Sequence, residues 1–301
     1  MAGKILVVGS LHLDVIVHSS RLPKPDETLL GDNVSYRFGG KGGNQAVAAA
    51  KIDVQVFMAG RIGTDNFGKQ IYDTLSNQNI NLDGLKMVDE ATGMSVALIG
   101  SDGIYSAVVV SGANQTIDLS EIAVPDDLTV LVLQNEINTD ANFEIIKKVP
   151  KSTFIILNAA PALTPNKDFF ERIDLLVVNQ LEAKMLLNEE PSIFNNLDAL
   201  RKLQNLGPKE VIITMGADGY TGISKNGEIF SEPGIKVDVL STHGAGDSFV
   251  GTLAAFICKG EPINIAAQYA QASSALHVKT PIDQREKILQ ADIENMFSLN
   301  Q

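Results

Sequence analysis

In the stretch "STHGAGDSF", residues 241–249, a carboxylate stands where an anion would be expected. A small-residue turn that opens an apolar helix ("VGTLAAFICKG") offers a negative ligand bare backbone N–H groups and the positive end of the helix dipole. The run before the turn is strand-like, and Asp247 closes the turn itself. Transfer of a phosphoryl group to an alcohol needs donors for the charge building on the transferring group and a base for the hydroxyl proton. Gly244, Ala245 and Gly246 can supply the donors and Asp247 the base; the competing assignment makes Asp247 an ordinary helix N-cap.

A second cluster is "FGGKGGNQAVAAA" at 38–50. Glycines let a ligand approach the backbone, Asn44 can cap the alanine-rich helix it opens, and Lys41 and Asn44 can both hydrogen-bond hydroxyls. A tight turn packing its helix on a sheet would look the same. Two nucleotide signatures fail. "GTDNFGK" at 63–69 has P-loop spacing, but Gln70 follows where Ser or Thr must hold magnesium, and Asp65 would sit in the phosphate nest. "VVGSLHLD" lacks the G-x-G-x-x-G of a dinucleotide site.

These residues need a frame. Continuous apolar runs at 4–9, 54–60, 129–134, 153–158, 174–179 and 210–216 suit strands buried on both faces of a parallel sheet. Helix-like segments at 44–52, 66–79, 139–149, 180–187 and 195–207 alternate with them, as in βαβ units. Residues 13–38 and 94–110 break the alternation with short strands, the second carrying an "SDG" hairpin signal, and predict a small sheet placed as a lid. Hairpin strands around "DGYTGISKNGEIF" and helices over about 245–278 complete the chain. With no repeat or linker, one α/β domain over residues 1–301 is expected, a sandwich about a mainly parallel sheet with a β lid.

The 301 residues carry 36 acidic and 24 basic side chains, a formal net charge of −12, which argues against a nucleic-acid or anionic-membrane partner. An anionic ligand must be met locally. Cys258 is the only cysteine, so no disulfide framework or thiolate cluster is expected, and a reducing cytoplasm fits. The apolar run of "MAGKILVVGS" is too short for a signal segment and reads as a strand.

In order, "GGKGGN" near residue 40, "VVNQLE" at 177–182, "TMGADG" at 214–219 and "GAGDSF" at 244–249 resemble the ribokinase family of sugar and nucleoside kinases, the pfkB-type carbohydrate kinases. "VVGSLHLD" and "LQNE" at 133–136 resemble its substrate-side elements, so the likeness runs from the first strand to about residue 280. It implies a three-layer ribokinase-like sandwich, ATP as co-substrate and magnesium. Asp247 matches the family's base and Gly244, Ala245 and Gly246 its anion hole. Asp14, Gly40, Lys41, Asn44 and Glu136 match positions that bind sugar hydroxyls, although Glu136 would read equally as a solvated acid after a strand. Asn179 and Glu182 match the element that organises magnesium, through water, and the phosphates; a plain helix start would also explain them. Thr214, Gly216 and Gly219 match the loop under the nucleotide, and Gln271 lies where members contact adenine. The implied reaction is phosphorylation of the primary hydroxyl of a pentose or similar furanose, ribose first. A nucleoside or pseudouridine kinase is the alternative within the family, and a sugar-binding protein without turnover the alternative outside it. Members that pair subunits through their lids imply a homodimer.

The pattern departs at named positions. Ser241 stands where an Asp commonly helps bind potassium, and "HVKTPIDQR" replaces a Gly-containing turn, with Pro281 for a flexible glycine. Ser241 and His243 therefore mark a monovalent-cation site whose working is in question, and only backbone carbonyls near Lys279 and Thr280 are left to rebuild it. His12 replaces an Asn two positions before Asp14 and joins the substrate-binding set, with a different proton inventory. Thr252 replaces a smaller residue. Cys258 reads as a small buried hydrophobe, and His18 and His277 show no metal-ligand spacing.

Overall fold

The computed structural model describes residues 3–101, 104–163, 167–190 and 195–300. Its elements begin with β1 (Lys4–Val8), β2 (His12–Ser19), β3 (Asn33–Gly39), α1 (Lys41–Ala50), β4 (Gln55–Gly63), α2 (Asn66–Ser76), β5 (Ile80–Val88), β6 (Met94–Gly100) and β7 (Tyr105–Val110). There follow β8 (Leu128–Gln134), α3 (Thr139–Lys148), β9 (Phe154–Asn158), α4 (Lys167–Glu171), β10 (Leu175–Asn179), α5 (Gln180–Leu187), α6 (Asn196–Gln204) and β11 (Glu210–Thr214). The hairpin β12 (Tyr220–Ile223) and β13 (Ile229–Glu232) leads to α7 (Ala245–Cys258), α8 (Ile263–Lys279) and α9 (Gln290–Ser298).

One sheet has the order β13-β12-β11-β10-β9-β8-β1-β4-β5, parallel except for the antiparallel hairpin at one edge. Both its faces are buried, which is why its strands read as unbroken apolar runs. Along β1, Ile5 and Val7 enter one core with α1, α7 and α8, while Leu6 and Val8 enter the other with α3, α5 and α6. Each such side chain contributes roughly 1.5–3 kcal/mol of transfer free energy. The three-layer α/β sandwich is thus formed as expected.

The two segments that broke the alternation form a separate four-stranded sheet, order β3-β2-β6-β7. Asp14 lies opposite Arg37 on β3 and beside Ser95 on β6. The "SDG" turn falls on Asp102 and Gly103, outside the described residues. Three elements had no counterpart in the sequence: α4, α9 and the edge strand β5, whose Asn, Asp and Lys give no apolar run. The strand-like run before residue 241 is not a strand; Leu240 and Ser241 are instead tied by their N–H groups to the Val278 carbonyl.

Both glycine turns open helices, with corrections to their caps. α1 begins at Lys41, three residues before Asn44, because Gly40 (φ 87°) reverses the chain and the Gly43 N–H donates to the Ser10 carbonyl at 3.0 Å. Asn44 is therefore no cap, and its side chain is free for other work. At α7 the N-cap is Gly244 (φ 76°), so Asp247 is a helix residue of the first turn and no cap either. α7 and α1 cross closely: a Cβ on Gly251 would lie 2.2 Å from the Gln45 carbonyl oxygen. The P-loop-like stretch is a surface helix start, with Asp65 capping α2 through the Gly68 N–H and Lys69 paired with Asp73. No helix among the described residues is long and apolar enough to cross a membrane.

Candidate active site

The crossing of α1 and α7 sets a carboxylate between two amides. Asp247, 8% exposed, accepts from Asn44 Nδ2 at 3.1 Å through Oδ2 and from Gln45 Nε2 at 3.0 Å through Oδ1. Gln45 also donates to Asn158 Oδ1 at 3.0 Å, while its own Oε1 accepts from Gln134 Nε2 at 2.7 Å. Asn158 Nδ2 completes the chain on the Val177 carbonyl, so each amide's orientation is fixed by its neighbours. Burial raises the Asp247 pKa, and Lys41, Gln45 and Asn44 restrain the rise. Such a group is more basic than a solvated carboxylate and is held in one direction. For Lys41, burial alone would lower the pKa, but Asp247, Glu136 and Glu182 together hold it above the ordinary lysine value. It is a fixed positive charge.

A cavity of about 210 Å³ opens beside Asp247, lined by Lys41, Asn179, Glu182, Thr214 and the 244–247 turn. A Cβ on Gly246 would meet nothing within 4 Å, so this glycine leaves open space in the cavity wall and is not required by packing. Among the described residues, the N–H groups of Gly246 and Asp247 make no backbone hydrogen bond, as expected in a first helical turn, whereas that of Ala245 donates back to the Thr242 carbonyl at 3.1 Å. The Ala245 N–H is thus already engaged within the turn. Around the same space, Asn179 and Glu182 form a reciprocal capping box at the start of α5, each side chain accepting the other's N–H at 2.8 Å. Glu182 thus caps the helix, as a plain helix start would have it, and also lines the cavity. Burial raises its pKa, with the Asn179 N–H and Lys41 opposing.

On the other side lie the expected hydroxyl binders. Glu136 is no solvated acid: its Oε2 accepts from Ser10 Oγ and from the Lys41 N–H, pinning Gly40–Lys41 to the end of β1. Asp14 is buried, and His243 Nε2 lies 3.2 Å from its Oδ2, a pairing that nothing in the spacing announced. His12 is buried with Nε2 unpartnered, its pKa lowered by burial against the pull of Glu136 and Asp14. Gly219 and Gln271 stand further out and share a wall. Gln271 Nε2 donates to the Pro233 carbonyl at 2.8 Å, and a Cβ on Gly219 would strike Glu232 O and Gly234 N. Gly216 (φ 61°) precedes them in the turn after β11.

The Ser241 and His243 carbonyls face a side chain. Arg285 donates to Ser241 O and to His243 O, each at 2.8 Å, and to Thr280 O at 3.2 Å. The donor set that would hold a monovalent cation is taken up by a guanidinium, so the residues present do not fit that ion. Thr252 donates to Ser273 Oγ at 2.8 Å, a bond joining α7 to α8. Cys258 is buried, its thiol pushed up to about 11 by burial, and no cluster of metal-ligating side chains occurs among the described residues.

The profile of the pfkB family of carbohydrate kinases matches residues 2–287. The ribokinase of Schizosaccharomyces pombe is 32% identical over 292 residues, covering 91% of this chain and 92% of that one. The deoxyribokinase of Salmonella typhi is 29% identical over 282 residues, with 91% and 92% covered. Among solved structures, Arabidopsis thaliana ribokinase complexed with ribose and ATP superposes with a TM-score of 0.89 at 28% identity, covering 99% of each chain.

Proposed function

The chain belongs to the pfkB family of carbohydrate kinases and is an ATP-dependent sugar kinase; from that premise we propose that it phosphorylates the 5-hydroxyl of ribose with Asp247 as base. The observation that carries this is the buried Asp247 carboxylate, aimed by Asn44 and Gln45 beside a cavity whose wall is left open at Gly246. The sugar hydroxyl gives its proton to Asp247 as its oxygen bonds to the γ-phosphorus, and the bond from that phosphorus to the bridging oxygen breaks to release ADP. The amides of Gly246 and Asp247, with Lys41, stabilise the charge on the transferring group. Gly244 and Ala245 shape the turn that presents them. Thr214, Gly216, Gly219 and Gln271 form the nucleotide side.

Asp14, Asn44 and the backbone around Gly40 bind sugar hydroxyls, with Glu136 holding Lys41 in place. Magnesium fits the site in hydrated form: besides Asp247, the proposed base, one carboxylate, Glu182, lines the cavity, and an ion that keeps its waters needs few protein ligands beyond the phosphates. There it would neutralise phosphate charge. The four-stranded sheet acts as the lid over the sugar, excluding water as a competing acceptor. Its edge strand β7 exposes Val108, Val109 and Val110, which supports pairing of two lids in a homodimer. The single buried cysteine supports a cytoplasmic setting.

The test is ADP release over a panel of ribose, 2-deoxyribose, other pentoses, fructose and nucleosides. Ribose is expected to lead 2-deoxyribose in kcat/KM by about tenfold or more, the worth of one satisfied hydroxyl. A preference for a nucleoside would move the assignment to a nucleoside kinase, and binding without product on every alcohol would leave a sugar-binding protein. His12 can be tested in the same assay. A sugar hydroxyl would satisfy its orphaned Nε2, so His12→Ala is expected to raise KM for the sugar about tenfold while leaving KM for ATP unchanged.

A further inference from the structure

Before the α7 turn, the Ser241 and His243 carbonyls both accept from one side chain. Arg285 is 8% exposed and takes part in no ion pair among the described residues, so its charge rests on carbonyl dipoles. His277 Nε2 belongs to the same cluster, 2.8 Å from Arg285 Nη1 and 2.9 Å from the His243 carbonyl oxygen. In a planar trans peptide, C=O and N–H point in opposite directions. Drawing the His243 carbonyl onto Arg285 therefore turns the Gly244 N–H away from it, and Gly244 lines the cavity beside Asp247.

We propose that Arg285 is a positioning residue, a covalently tethered cation that gathers the Ser241, His243 and Thr280 carbonyls and so sets the 244–247 turn without any dissociable monovalent ion. Charge–dipole bonds of this kind are stronger than neutral ones, and the planar fork holds several acceptors in one geometry. A second cation would be repelled. Lys51 Nζ donates to the Arg285 carbonyl at 2.8 Å, and Arg37 adds to burial in lowering the Arg285 pKa. The inference rests on the kinase assignment for its rate consequence but not for its structural one.

Turnover and thermal midpoint are measured in potassium chloride and in tetramethylammonium chloride at matched ionic strength. For the unaltered protein both are expected to agree between the salts, turnover within about twofold. Arg285→Ala is expected to lose about a hundredfold in kcat through misplacement of the turn, to regain about tenfold with potassium or guanidinium ion, and to melt higher in the potassium salt. If the alanine variant does not fold, Arg285→Gln, neutral and nearly as long, is expected to show the same potassium response. Activation or thermal stabilisation of the unaltered protein by potassium overturns the proposal. So does an alanine or glutamine variant that keeps full turnover in tetramethylammonium, or one that responds to no cation. If no sugar is phosphorylated at all, the kinase assignment fails while the melting comparison still decides the role of Arg285.

Discussion

Asp247→Asn is expected to lower kcat about a thousandfold, within the range that a positioned base contributes, while ATP affinity stays within a few-fold. The loss is chemical because the replacement keeps the shape and removes the lone pair that takes the proton. Its structural cost is bounded. Asn44 Nδ2 and Gln45 Nε2 both donate to the carboxylate, and an amide can accept only one of them well, which costs about 1–3 kcal/mol. Against this, the variant no longer buries a charge, the main cause of the raised Asp247 pKa, so the thermal midpoint is expected to move only modestly. Single-turnover kinetics with bound ATP give the test. Residual phosphorylation within tenfold of the parent would remove Asp247 from the role of base.

Lys41→Met is expected to lose about a hundredfold in kcat/KM at neutral pH, as for loss of a charged donor to the transferring group. It also has a signature in pH. Activity requires ionised Asp247, whose pKa burial raises, so the acid limb of kcat/KM lies above the ordinary carboxylate range. Lys41 is the foremost of the groups opposing that rise, so its removal moves the acid limb to higher pH, and Lys41→Arg, which keeps the charge, returns it. An acid limb that stays in place in Lys41→Met would show that the ammonium acts on phosphate alone.

The sandwich was legible because strands buried on both faces must be continuously apolar, whereas β5 was missed because an edge strand can be polar. The glycine turns were legible as turns, but not the helix starts: a cap remained open for both Asn44 and Asp247 until the Gly40 and Gly244 conformations showed where α1 and α7 begin. The amides behind Asp247 went unread because Gln45, Gln134 and Asn158 have no catalytic signature of their own. Their signal lay in position. Gln134, Asn158, Asn179 and Thr214 each end an apolar strand run, at the carboxyl edge where open α/β sheets place ligands. The pairing of His243 with Asp14 and the carbonyls around Arg285 left no such trace. One joins segments far apart in sequence, and the others are backbone groups present in every residue.

Gly251 does not line the cavity beside Asp247, yet it sets a limit on how this sequence can change. It lies one helical turn beyond Asp247, and its missing side chain lets α7 approach the carbonyl of Gln45, whose amide holds the Asp247 carboxylate. Any larger residue there would push apart the two helices that carry Asp247 and the amides that hold it. The tolerance for error in the chemistry is therefore written into a position that an inspection of ligand contacts would pass over.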